Sequence, residues 1–123
     1  MSAKVLLPAE ISVFSFAGAF PTWLAPVQVK VLPISDNQKA YAEKVVSELA
    51  ANGIRVELDD RQEKIGYKIR EAQLSKVPYM LILGEKEVES GSVGVRARKE
   101  GDIGQMKFED FVQKLQAEIA EFK

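Results

Sequence analysis

Arg96 and Arg98, two residues apart, and Glu87 upstream of them are the groups whose types and spacing first suggest recognition chemistry. On a strand, residues two apart point to the same face. Both guanidiniums would then share one surface, which Glu87 on a neighbouring segment could approach. An arginine placed there can donate two hydrogen bonds to a guanine edge, while a glutamate accepts from a base amino or imino group. Gln62, Lys64 and Lys68 would extend the patch into a mixed base-reading and phosphate-contacting surface of the kind that grips unpaired RNA bases. The plainer reading of the same arginines is an edge strand protected by charge.

Other chemistries are poorly supplied. Asp59 and Asp60 could together hold a magnesium ion, but aspartate at a strand end equally serves turns and helix caps. Gly84, Gly91, Gly94, Gly101 and Gly104 match neither phosphate-loop spacing between a strand and a helix. The chain contains no cysteine and no histidine. That removes thiol nucleophiles, disulfides, thiolate zinc sites and the commonest general base, so a catalytic reading starts with little to work with. No cofactor and no metal ligands are expected.

The elements that must position these groups can be read from periodicity. Val27 to Ile34 alternates and then turns apolar, the pattern of a first strand. Ser35 to Gln38 has the S-x-x-Q form of a capping box, opening a helix with Ala42, Val45, Val46 and Leu49 on one face and a stop at Asn52-Gly53. Ile54 to Leu58 is a second strand. Ile65, Ile69 and Ala72 set the stripe of a second helix, with Leu74 beside it. From Arg61 to Lys76 the chain carries five basic residues against two acidic ones. Pro78 to Leu83 is a continuous apolar run that suits a strand covered on both faces. Two right-handed crossovers then give three parallel strands. Glu85 to Glu89 and Ser92 to Arg98 predict an antiparallel hairpin turning at Ser90-Gly91, with a loop at Lys99 to Asp102. Phe108, Phe111, Val112, Leu115, Ile119 and Phe122 define a last amphipathic helix. The expected fold is α/β: a mixed five-stranded sheet of three parallel strands plus an antiparallel hairpin, with three helices.

Within 123 residues, of which 46% are apolar, this is one domain with enough material for a core. The net charge of -1 means that a polyanion must be met by a local patch, because the overall field will not attract it. No window approaches the ~20 apolar residues of a membrane span, and the first residues make a poor secretory signal, so a cytoplasmic protein without membrane attachment is expected. Met1 to Phe16 reads as an extension. Ala17 to Pro26, with two prolines and Trp23, reads as an irregular lead-in that buries the indole.

The segments AGAFPTWLAPVQV, GIRVELDDR, EKIGYKIREAQL, VPYMLILGEKEVESG and VGVRAR run in uninterrupted order. Together they resemble the C-terminal anticodon-binding domain of class II aminoacyl-tRNA synthetases, specifically the bacterial threonyl-tRNA synthetase family. The resemblance spans about Ala17 to Phe122 and assigns residues 17–123 to that domain and 1–16 to an extension unlike the family. It implies a module that reads the second and third anticodon bases of threonine tRNA. By position, Glu87 and Arg96 fall on the base-reading pair. Gln62 stands where asparagine is usual, followed by Glu63 and Lys64 in matching order. Ala97 replaces a usual threonine. Lys64, Lys68 and Arg98 would meet phosphates. The implied partners are the anticodon loop of threonine tRNA and the catalytic domain of a synthetase, with no DNA. The class II catalytic motifs are missing, so the chain should not be an enzyme by itself. The alternative is an accessory or protein-interaction domain that keeps this fold without reading RNA.

Overall fold

The structure is a computed structural model that describes residues 20–121. The expected extension at 1–16, its two short apolar runs and Phe122 lie outside them. Alternating valines build β1 (Val29–Pro33), and a 3-10 turn at Asp36–Gln38 leads into α1 (Lys39–Ala51). The expected capping interaction forms: Gln38 Oε1 accepts from the Ser35 amide at 3.0 Å and the Ser35 hydroxyl at 2.7 Å. There follow β2 (Val56–Leu58), α2 (Ile65–Leu74), β3 (Tyr79–Leu83), α3 (Glu85–Ser90), β4 (Ser92–Ala97), β5 (Gly101–Lys107) and α4 (Phe108–Ala120).

The sheet has the order β2-β1-β3-β4-β5, with the first three strands parallel and β4 and β5 antiparallel to their neighbours. Its register sorts side chains onto two faces. Val31 lies beside Leu58 and Leu81, and Leu81 beside Val95, on a face packed by Ala42, Val45 and Leu49 of α1 and Phe111, Val112 and Leu115 of α4. Each large apolar side chain fully buried there contributes roughly 1.5–3 kcal/mol. On the other face Leu32 lies beside Ile82, Ile82 beside Gly94, and Met80 beside Arg96. Here α2 covers β1 and β3, packing Ala72, Ile65 and Ile69 against Leu32 and Met80. The same face of β4 and β5 carries the partly or fully exposed Gly94, Arg96 and Gln105 instead.

The mixed sheet is as expected, with four helices rather than three. Glu85 to Ser90 is the added helix α3, not a strand, and the antiparallel hairpin is β4–β5, turning at 98–100. The physical reason sits at the ends of α3. Glu87 reaches back so that its Oε1 accepts from the Gly84 amide at 2.7 Å, and Gly91 closes the helix at φ 67°, a left-handed conformation that glycine adopts without strain. Gly101 to Lys107 escapes a period-two reading because β5 is bulged. Val95 pairs with Gly104 and Arg96 with Asp102, leaving Ile103 as the extra residue. Trp23 is also less buried than expected, at 36% exposed. In its 3-10 turn Thr22 is the buried residue, and its hydroxyl bonds the Glu118 carboxylate.

Candidate nucleic-acid interface

Two hollows hold most of the residues singled out by sequence. The first is a crevice of about 400 Å³ at the C-terminal ends of β1 and β2, where open α/β sheets commonly bind ligands. Gln62, Glu63 and Lys64 line it from the loop before α2, facing Asp36 of the 3-10 turn and Lys39 at the start of α1. Its shape is set by Asp59 at the end of β2. That carboxylate accepts from Arg61 Nε at 2.9 Å and Nη2 at 2.8 Å, and Arg61 also bonds Glu71 of α2, so the loop is clamped on both sides. The Arg61 hydrogen bonds hold the Asp59 carboxyl below its ordinary range, against the upward push of burial. Asp60 does not share the Arg61 clamp but lines the crevice, 3.8 Å from Lys39. The paired aspartates therefore serve the turn and its ion pairs. Gln62 Nε2 donates to Asp36 Oδ2 at 3.0 Å, an exposed contact that a ligand could replace.

The second hollow, about 340 Å³, opens on the sheet face over β4 and β5, lined by Ile82, Glu87, Gly94, Arg96 and Gln105 with Lys86 and Asp102 at its rim. Its floor is low because position 94 has no side chain. A Cβ there would lie 3.1 Å from the Ile82 carbonyl and 3.5 Å from Glu87 Oε2. Glu87 is fixed from two directions: Oε1 takes the Gly84 amide, and Oε2 takes Gln105 Nε2 at 2.7 Å. Burial pushes this carboxyl up, but the bonds from Gln105, Gly84 and its own backbone, with the Lys86 charge, leave it below the usual glutamate value. It is thus an anion that only accepts hydrogen bonds. Arg96 Nη1 lies 3.9 Å from Asp102 Oδ2, a loose, partly exposed pair that holds little energy and frees the guanidinium cheaply. One hollow therefore offers an acceptor-only group and a five-donor group to the same incoming molecule.

Residues 28–118 match the family described as the anticodon binding domain. The chain belongs to that family. Threonine–tRNA ligase of Clostridium tetani is 69% identical over 104 residues, which are 85% of this chain and 16% of the ligase. The same ligase of Caldanaerobacter subterraneus subsp. tengcongensis is 64% identical over 105 residues, again 85% of this chain and 16% of that protein. This anticodon-binding domain thus spans about a sixth of the length of those relatives. Among solved structures it superposes on the RNA binding domain of threonyl-tRNA synthetase from Cryptosporidium parvum Iowa II, with a TM-score of 0.76 and 36% identity. That match covers 81% of this chain and 25% of the other.

Against that family frame, the domain brings Glu87 and Arg96 together in one hollow and Gln62, Glu63 and Lys64 together in the other. Two expected phosphate contacts need correction. Lys68 is not on the surface: at 3% exposed, its Nζ donates to the Pro33 and Asp59 carbonyls at 3.2 Å each, strapping the ends of β1 and β2 together. Arg98 follows Arg96 in sequence but turns its guanidinium to the backbone, donating to the Lys76 and Phe20 carbonyls at 2.8 Å each. Both cations are occupied by backbone carbonyls, those of Lys68 at the ends of β1 and β2 and those of Arg98 in the turn after α2 and in the lead-in. Ala97 is buried on the opposite face among core residues, so the absence of a threonine hydroxyl is a matter of packing. Gln105, Gly94 and Asp102 were not singled out as site residues in the sequence. The usable signal was the G-x-x-E of Gly84 and Glu87, which marks a helix start and so places Glu87 over Gly94.

Proposed function

We propose that this domain is the anticodon-recognition module of a threonine–tRNA ligase, reading the second and third anticodon bases of threonine tRNA while catalysis is carried out by other parts of the enzyme. The observation that carries the reading is the shared hollow of Glu87 and Arg96 on an uncovered sheet face. Guanine has N1–H and N2–H₂ donors on its Watson–Crick edge, which suit a carboxylate held ionised, and O6 and N7 acceptors on its Hoogsteen edge, which suit a guanidinium. Adenine offers neither pattern in the same place and would leave one of the two charged groups without a partner, at roughly 1–3 kcal/mol. The neighbouring base would enter the crevice at Gln62 and Glu63, with Lys64 at its exposed lip meeting phosphate. A cytoplasmic setting goes with this role, and no helix among the described residues is long and apolar enough to cross a membrane.

With Lys68 and Arg98 tied to carbonyls, few cations are left for phosphate, so binding by the isolated domain should be weak and strongly dependent on salt. The test is binding of the chain to the anticodon stem-loop of threonine tRNA and to the same stem-loop with its central guanine replaced by adenine. Tighter binding of the guanine form supports the reading. Equal binding, or none at low salt, would move the domain to a protein-interaction role.

A further inference from the structure

Glu87 and Arg96 account for the charges in the second hollow but not for its arrangement, which depends on β5. On a regular strand, residues 102 and 105 would face opposite ways, because their spacing is odd. The bulge at Ile103 resets the alternation. Asp102 then stands beside Arg96 and Gln105 beside Gly94, both on the open face, while Ile103 and Met106 pack with the core on the other. The extra residue thus re-aims a polar side chain at the recognition glutamate.

Gln105 Nε2 donates to Glu87 Oε2 at 2.7 Å, across the gap left by the missing side chain of Gly94. Gln105 Oε1 makes no hydrogen bond among the described residues. The amide therefore contributes in two ways: one end restrains the carboxylate, and the other leaves an acceptor at the edge of the hollow.

We infer that Gln105 is a positioning and specificity residue for base reading, holding Glu87 in the orientation that accepts from a guanine-type donor pair. This rests on the anticodon-reading function proposed above. A glutamate anchored only by the Gly84 amide could swing Oε2 toward Lys86 or solvent and meet several base edges with similar energy. Anchored at both oxygens, it presents a fixed pair of remaining lone pairs, and the base must bring donors to them. The neutral amide is suited to this place. A cation there would neutralise the carboxylate, and a second carboxylate would repel it.

The test uses the full chain and its Gln105→Leu variant, which keeps the approximate volume at an exposed strand position and removes the amide. Both are titrated with the guanine and adenine stem-loops at pH 7.5 and pH 5, with thermal melts as a check on folding. The groups facing the Glu87 carboxyl are Lys86 on α3, Arg96 on β4, Asp102 on β5 and Tyr41 on α1. The expected result is that the preference for guanine falls about tenfold in Gln105→Leu, the size of one lost charge-assisted hydrogen bond. The loss should deepen at pH 5, because Glu87 without its donor protonates more easily, while the melting temperature is unchanged. A purely structural role for Gln105 would not move the pH dependence of the preference. An undiminished preference in Gln105→Leu would overturn this inference alone. Absence of any preference in the unaltered chain would overturn the proposed function, and this inference with it.

Discussion

Replacing Lys68 with methionine should separate what this cation does for the fold from what its position suggests it does for RNA. Its Nζ is held by the Pro33 and Asp59 carbonyls, and only 3% of the residue is exposed. Two hydrogen bonds from a charged donor are worth about 1.5–3 kcal/mol each. Removing the ammonium also relieves the several kcal/mol spent in holding a charge away from water. Methionine refills the space of the aliphatic stem at a cost below about 1.5 kcal/mol. The balance is a net destabilisation of about 2 kcal/mol, because two carbonyls at strand ends are left without donors. In a domain of this size that lowers Tm by about 10 °C. The assay pairs thermal melts with the slope of log binding constant against log salt for the anticodon stem-loop. Lys68→Met should melt early and keep the parent slope. Lys64→Ala, at the exposed lip of the crevice, should melt normally and flatten the slope by about 0.7, the share of one phosphate on single-stranded RNA. If Lys68→Met melts like the parent and flattens the slope, the strap is wrong and Lys68 is a phosphate ligand.

Gly94→Ala puts a methyl group 3.1 Å from the Ile82 carbonyl and 3.5 Å from Glu87 Oε2. It should cost about 1–2 kcal/mol in a urea titration, and by displacing Glu87 it should erase the preference between guanine and adenine stem-loops. Asp59 is held below its ordinary range by Arg61, so its contribution is fully present above the unfolded value and is lost as pH falls through the lower folded value. The unaltered chain should therefore lose stability below about pH 4. Asp59→Asn should be about 1 kcal/mol less stable at pH 7 and show a smaller further loss on acidification, read as Tm against pH.

Where apolar period and function agreed, the sequence was readable. Val29 and Val31, the Ile65-Ile69-Ala72 stripe and the α4 face all packed as their spacing implied, because burial alone determines those positions. The departures have local causes. Glu85 to Ser90 holds one apolar residue, Val88, so its period decides nothing, and the G-x-x-E bond at its start is a single side-chain contact. β5 hides behind its bulge, since Ile103 and Met106 face the core at an odd spacing. Lys68 sits between Ile65 and Ile69 on α2, and its burial follows from carbonyls at the ends of two other strands. Arg98 is tied to the backbone because Lys76 and Phe20, distant in sequence, present carbonyls to its guanidinium. The candidate hollow was therefore legible where residue type alone picks out its lining, as with Glu87 and Arg96. It was hidden where a partner such as Gln105 is brought in by register.

In the proposed function Arg96 reads a base and does not merely supply charge. The most direct measurement is a double-mutant cycle in which the chain and Arg96→Ala each bind the guanine and adenine anticodon stem-loops at one salt concentration. If Arg96 reads the base, the guanine preference of about tenfold or more in the unaltered chain collapses to near unity in Arg96→Ala, giving a coupling of about 1–3 kcal/mol. Equal weakening of both stem-loops, with the preference intact, would make Arg96 a general cation and contradict the account.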